Sequence, residues 1–244
     1  MSTYRQAIDS SLRNRLAMIE QDALEADLKA YGCATVKGVL NAQGCDDLAA
    51  LYPNDAWFRR HIHMARHGYG KGEYKYFAYP LPEAVSILRE EFYRKLVGTA
   101  NLWNELMKIE ARFPDRHQAY LDQCHAAGQI RPTPLLLQYG EGDFNRLHQD
   151  VYGDLLFPLQ VTVLLSRPED DFTGGEFVLT EQHSRLQGRA EVVRLEQGDA
   201  VVFPVRHRPV QGKKGSYRAT MRHGVSRLHS GQRQTLGVIF HDAA

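Results

Sequence analysis

The sequence predicts an α+β fold in which a helical N-terminal half supports one β-rich core, a sandwich or barrel. Three observations lead there. Through about residue 130 apolar residues recur mainly at helical spacing. From Pro134 onward the chain turns to short apolar or β-branched runs separated by glycine-containing turns. No linker, internal repeat or low-complexity segment divides the two parts, and 244 residues suit one barrel-sized unit with helical additions. A single domain is expected over 1–244, with 1–130 as helical support and substrate lid and 131–244 as the core.

Taken in order, residues 4–30 place Leu12, Leu16, Ile19, Leu24 and Leu28 along one helical face, and Gly32 supplies the stop. Ala34-Thr35-Val36, with Val39 and Leu40, gives a short strand signal. Asn41 is placed to cap a helix running through Leu51, before Pro53. Residues 57–77 differ: Arg59, Arg60, Arg66, Lys71 and Lys75 interleave with Trp57, Tyr69, Tyr74 and Tyr76, and Gly68 and Gly70 loosen the backbone. Spacing assigns no regular element to this block. A long helix is expected from Pro82 toward Arg112, and another after Pro114 to about Ala127, with Gly128 as its stop. Strand runs follow at 135–137, 159–165, 176–180, 192–195, 200–205 and 235–240.

Composition excludes several classes. A net charge of +1 gives no bulk attraction to nucleic acid or anionic membrane, so any such preference must come from local patches. No run of eighteen apolar residues exists, so no membrane-spanning helix is expected, and residues 1–15 lack the apolar core of a signal peptide. The cysteines Cys33, Cys45 and Cys124 are odd in number and scattered, which fits buried thiols in a reducing, cytoplasmic compartment.

The chemistry-bearing residues lie in the β-rich half. His148-Gln149-Asp150 places an imidazole and a carboxylate two positions apart, on one face of an extended segment. A third ligand must come from elsewhere in the chain. Two histidines and one carboxylate on one face of an octahedron leave three positions open, an arrangement that suits iron(II) oxygenases. His223 stands ten residues before Arg233, just ahead of the last strand run. His207 also follows a strand run, but its tenth following residue is Tyr217, which carries no fixed positive charge. His183 and His229 read as exposed or hydrogen-bonded histidines, and Arg227 as an exposed or snorkelling arginine.

These motifs resemble the 2-oxoglutarate- and iron(II)-dependent dioxygenase superfamily over about residues 134–242. The resemblance implies a double-stranded β-helix (a jelly-roll or cupin-like core), with His148, Asp150 and His223 as iron ligands and Arg233 binding the 2-oxoglutarate carboxylate. Tyr139, in Gln138-Tyr139-Gly140, is similar to a tyrosine that prolyl-hydroxylase-like members use to help hold 2-oxoglutarate. Thr173-Gly174-Gly175-Glu176-Phe177 and the run from Gly198 to Pro204 also sit where such members carry a Gly-Gly-Glu turn and a Gly-Asp-to-Phe strand. The implied cofactors are iron(II), 2-oxoglutarate and O₂, and the implied reaction couples formation of succinate and CO₂ to hydroxylation of a substrate C–H bond.

The whole chain further resembles the bacterial Oxygenase-NA family, named for oxidative demethylation of damaged DNA. That resemblance implies an alkylated base in DNA or RNA as substrate. Residues 57–77 supply cations for phosphates and aromatic platforms for bases, as a single-strand or flipped-base binder requires. A second basic stretch, Lys213-Lys214 with Arg218 and Arg222, precedes His223 and is expected near the mouth of the site. The alternative is a prolyl-hydroxylase-like protein or small-molecule hydroxylase, to which the placement of Tyr139 and Arg233 is closer.

Overall fold

In the computed structural model, which describes residues 11–183, 187–213 and 215–244, a seven-stranded sheet lies between helices on one face and a second sheet on the other. From edge to edge the first sheet runs β1 (Ala34–Val36), β11 (Ala200–Pro204), β7 (Leu159–Leu164), β15 (Arg233–Val238), β5 (Leu135–Tyr139), β4 (Glu73–Phe77) and β2 (Phe58–His63). Every neighbouring pair is antiparallel. The second sheet runs β10 (Arg189–Val193), β9 (Phe177–Gln182), β13 (Gly215–Val225), β6 (Phe144–His148) and β3 (Gly70–Lys71), with β12 (His207–Gly212) paired to the first half of β13. β8 (Phe172–Gly174) and β14 (Leu228–Gly231) form a two-stranded ribbon.

Side-chain alternation explains the layering. In β7, Leu159, Val161 and Val163 join the helix-side core, while Leu164 belongs to the core between the sheets. In β11, Ala200 and Val202 face the helices, and Val201 and Phe203 face the second sheet. Strands covered on both faces read as continuous apolar runs rather than alternating ones, and this is why their signal in the sequence is strong. The covering helices are α1 (residues 11–17), α2 (Gln21–Tyr31), α3 (Ala42–Ala49), α4 (Glu83–Leu106) and α5 (His117–Ala126). The buried residues of α4, among them Leu88, Phe92 and Leu96, pack in the same core as Val161 and Leu236.

Several boundaries differ from the sequence reading. The helix expected over 4–30 is two helices, broken at residues 18–20, and Lys95 of α4 donates to the freed carbonyls of Ala17 and Ile19. Its first residues, 4–10, lie outside the described residues. Gly32 does end α2, at φ +81°, with its N–H on the Leu28 carbonyl. Asn41 caps α3 by accepting from the Gly44 N–H, but the helix stops at Ala49, short of Leu51. α4 ends at Leu106, not Arg112, where Lys108 takes a left-handed backbone at φ +56°. The block 57–77 folds as β2, β3 and β4, giving two strands to the first sheet and one to the second. All three cysteines are free and buried, as expected.

Two histidines make the fold acid-sensitive. His117 on α5 donates to the Phe240 carbonyl, and His241, past the end of β15, is wholly buried. Burial, with Arg89 nearby, lowers both imidazoles to about 3, so both are neutral in the folded state. An unfolded chain takes up those protons below its ordinary value near 6.5, and the folded chain does not. Stability is therefore full above that value and is lost as pH falls from it toward 3. Each histidine should cost about 2 kcal/mol by about pH 5. Thermal unfolding from pH 7.5 to 5 should show a steep fall that His117→Gln reduces; an equal fall in that variant would assign the sensitivity elsewhere.

Candidate active site

The two sheets enclose a cavity of about 240 Å³, and the side chains facing it follow from strand alternation. On the first sheet these are Leu135, Leu137 and Tyr139 of β5 and Arg233, Thr235 and Gly237 of β15. On the second sheet His223 and Val225 of β13 face it, with Phe177 of β9. β6 contributes both Asn145 and His148, although an odd separation should put them on opposite faces. A bulge resolves this: His223 pairs with His148 while Val225 pairs with Asn145, so two residues of β13 span three of β6. Such a bulge leaves one residue of β6 unpaired, interrupts the ladder locally and re-aims a side chain.

Here His148, Asp150 and His223 converge. Asp150 Oδ1 lies 3.4 Å from His148 Nε2, and Asp150 Oδ2 lies 3.2 Å from His223 Nε2. The two imidazole centroids are 4.2 Å apart. Neighbours hold each group in place. His148 Nδ1–H donates to the Arg146 carbonyl at 2.7 Å, which turns Nε2 toward the site as a ligand nitrogen. Gln149 points the other way and donates to the Met221 carbonyl at 2.8 Å, fixing the segment against β13. Tyr152 O–H donates to Asp150 Oδ1 at 2.8 Å. His223 packs against Phe203 and Phe177, with centroids 4.8 and 5.9 Å away, and its buried Nδ1 has no hydrogen-bond partner among the described residues.

Burial by itself would raise the Asp150 carboxyl, but the His223 and His148 imidazoles outweigh it and hold Asp150 well below the usual carboxylate range. Burial likewise opposes protonation of His148, and Asp150 overcomes it to push that group up. One ionised carboxylate between two imidazoles is a donor set that fits a divalent cation with nitrogen and oxygen ligands.

Arg233 and Tyr139 are cross-strand partners in β15 and β5, so they face the same cavity together. Arg233 is 3% exposed, and burial brings its guanidinium down to about 10. It lies 5.8 Å from the Tyr139 ring centroid and 5.9 Å from that of Phe172. Among the described residues no carboxylate comes within ion-pair distance of it. A buried cation without a partner is costly, so this one suits an anionic occupant. Asn145 donates to the Tyr139 hydroxyl at 3.3 Å. The Gly174-Gly175 turn leaves room for Arg233: both residues have positive φ, and a Cβ at Gly175 would run into Leu228 and come within 3.1 Å of Arg233 Cδ.

All five residues singled out from the sequence line this cavity. His207 does not; it opens β12 opposite Thr220. His183 pairs with Glu181 at 2.7 Å, while His229 and Arg227 are exposed. The second basic stretch is not at the mouth as a whole. Arg218 donates to the Met107 carbonyl beyond the end of α4, and at about 3.3 Å per residue Lys213 stands roughly 30 Å along the hairpin from His223. Lys214 lies outside the described residues. The sequence reading missed Asn145, Tyr152, Gln160 and Thr162. Tyr152 had a signal, since it continues the two-residue alternation of His148 and Asp150; Asn145 had none, because only the bulge turns it inward.

A family described as "Oxygenase, catalysing oxidative methylation of damaged DNA" matches residues 72–243. The chain is 48% identical over 168 residues to a protein of Mycobacterium tuberculosis described as uncharacterized, covering 69% of this chain and 72% of that one. Among solved structures it is similar to a Pseudomonas putida prolyl-4-hydroxylase, with TM-score 0.51 and 17% identity over 92% of this chain and 100% of that one. It is similar to a 2OG-Fe(II) oxygenase family oxidoreductase from Burkholderia pseudomallei, with TM-score 0.51 and 17% identity over 93% and 94%. A Trichoplax adhaerens prolyl hydroxylase in complex with a hypoxia inducible factor peptide gives TM-score 0.59 and 12% identity over 95% and 92%.

Proposed function

Because the chain belongs to the Oxygenase-NA family and has the fold of 2-oxoglutarate- and iron(II)-dependent oxygenases, we propose that it oxidatively demethylates an alkylated base in nucleic acid. His148, Asp150 and His223 would hold the iron, and Arg233, with Tyr139 beside it, the distal carboxylate of 2-oxoglutarate. Bound together, these cofactors supply an oxidant for a C–H bond while 2-oxoglutarate is converted to succinate and CO₂. The protein's own part is placement and shielding. The Arg146 carbonyl and the Tyr152 hydroxyl orient His148 and Asp150, and Phe177 and Phe203 exclude water from His223.

The observation that carries the substrate class is a second groove, of about 380 Å³, which shares Tyr69, Tyr74 and Tyr152 with the lining of the cavity. Arg59, Arg60 and Arg131 line it beside Tyr76. Cations placed next to aromatic rings are what a nucleotide chain requires, with phosphates on the arginines and a base stacked on a tyrosine. Tyr69 is 49% exposed and stacks on His67 with centroids 5.4 Å apart, so its ring is a ready platform at the rim. A hydroxylated N-methyl group collapses to formaldehyde and the free base, so demethylation has its own product.

The test is succinate and formaldehyde release from iron-loaded protein given 2-oxoglutarate and O₂, with and without a methylated single-stranded oligonucleotide. Stimulation with stoichiometric formaldehyde is the expected result. Turnover unaffected by the oligonucleotide, with hydroxylation of a proline-containing peptide, would overturn the substrate and keep the oxygenase. Arg233→Gln is expected to raise the 2-oxoglutarate KM by roughly 10–100-fold, since a hydrogen bond to a charged group is worth about 1.5–3 kcal/mol. An unchanged KM would place the anion site elsewhere.

A further inference from the structure

We propose that His61, His63 and Glu73 form a second divalent-metal site, for zinc or another late first-row ion, on the outer face of the first sheet. Alternation in β2 and β4 separates the two faces. Ile62, Tyr74 and Tyr76 line the groove and cavity, while His61, His63 and Glu73 project to the opposite side. His61 Nε2 and His63 Nδ1 both approach the same carboxylate oxygen, Glu73 Oε2, at 2.9 and 3.2 Å. Gln138 donates to the other oxygen at 3.4 Å, holding the carboxylate toward the imidazoles.

The catalytic cluster provides an internal standard. Its ligand atoms stand 3.2 and 3.4 Å apart and its imidazole centroids 4.2 Å apart at 48°. In the second cluster the imidazole centroids are 4.3 Å apart at 44°. These are the only two such groups among the described residues, and in each every donor atom lies within 4.8 Å of the others. Bonds of about 2.0–2.1 Å set neighbouring ligand atoms roughly 3.0 Å apart in an octahedron and roughly 3.3 Å apart in a tetrahedron, and the separations in both clusters, 2.9 to 3.4 Å, lie close to these values. Two imidazoles and one carboxylate suit zinc and its neighbours over calcium or magnesium. The neighbouring cation does not compete: Lys75, opposite His61 in the ladder, is committed to Asp55 at 2.6 Å and the Tyr52 carbonyl at 3.0 Å. The side chains of His61 and His63 are 35% and 45% exposed, so an ion reaches them directly from solvent and would keep water in its open positions. Bound there, it would tie edge strand β2 to β4 behind the groove. The site does not depend on what the catalytic cavity oxidises.

The experiment is calorimetric titration of untagged, chelator-stripped full-length protein with Zn²⁺. Four proteins are compared: the unaltered chain, Glu73→Gln, His148→Ala, and the variant carrying both changes. The expected uptake is two equivalents, one, one and none, with matching Tm in chelator for the unaltered chain and Glu73→Gln. His63→Ala should repeat the loss seen in Glu73→Gln. Unaltered stoichiometry in both Glu73→Gln and His63→Ala would overturn the second site, as would a single equivalent in the unaltered chain that His148→Ala removes. Failure of His148→Ala to lose an equivalent would count against the catalytic centre alone, so the two outcomes are separable.

Discussion

Asp150→Ala is expected to abolish iron binding and reduce turnover to background. Asp150 is the only carboxylate of its cluster, and its two oxygens contact a different imidazole each. Without it, His148 and His223 remain 4.2 Å apart with no negative charge between them, and a divalent cation loses both a ligand and its charge compensation. Changing outer groups that orient metal ligands typically costs about 10–100-fold, so loss of a direct ligand should exceed 100-fold. Tyr152→Phe makes the comparison internal. It removes the hydroxyl that donates to Asp150 Oδ1 and should cost only about tenfold in iron affinity. Iron stoichiometry and succinate release measured on the two variants check both; near-complete iron loading of Asp150→Ala would remove this residue from the centre.

Asp242→Ala is expected to destabilise the fold by about 3–5 kcal/mol, as much as truncating a large core side chain. Its carboxylate is fully buried and receives Arg89 Nη2 at 2.7 Å, the Tyr79 hydroxyl at 2.9 Å and His125 Nε2 at 2.7 Å. Arg89, 2% exposed, also donates to the carbonyls of Ile239 and His241. Removing the carboxylate leaves a guanidinium buried on α4 with its main counter-charge gone, and the segment after β15 loses its tie to α4 and α5. For a chain of this size the loss corresponds to a Tm decrease of roughly 10 °C. Calorimetry gives the answer directly. Arg167→Ala, which breaks the exposed i,i+4 pair with Asp171, should leave Tm unchanged, and a similar fall in both variants would deny the buried network its special weight.

The residues that were readable in the sequence and those that were not divide along physical lines. The strands β5, β7, β11 and β15 are covered on both faces, so their apolar runs stood out. β6, β12 and β13 carry Arg146, Arg208, Arg218 and Arg222 and give no such run, although β6 and β13 hold two of the three cluster residues. His148, Asp150, His223 and Arg233 were found through their spacing and their resemblance to a known motif, not through secondary structure. Arg89 and Asp242 carried no local signal at all, because 153 positions separate them and only the fold brings them together. The block 57–77 misled for a related reason. Its charges and glycines gave no periodic signal for a regular element, whereas cross-strand pairing with β5 sets one of its faces toward the cavity and leaves His61, His63 and Glu73 on the other.

The position of β15 has a consequence for how the protein is made. This strand lies in the middle of the first sheet, between β7 and β5, and among the described residues no other strand hydrogen-bonds the two halves of that sheet to each other. On a translating ribosome, a nascent chain that has emerged only as far as residue 232 would hold β1, β11 and β7 as one fragment and β5, β4 and β2 as another. The three cluster residues would already be outside the tunnel. The seam would close, and Arg233 would arrive opposite Tyr139, only when the following few residues are released. Pairings this distant along the chain are slow to form, so the interval before closure is when the unfinished sheet presents open edges to chaperones or to other nascent chains.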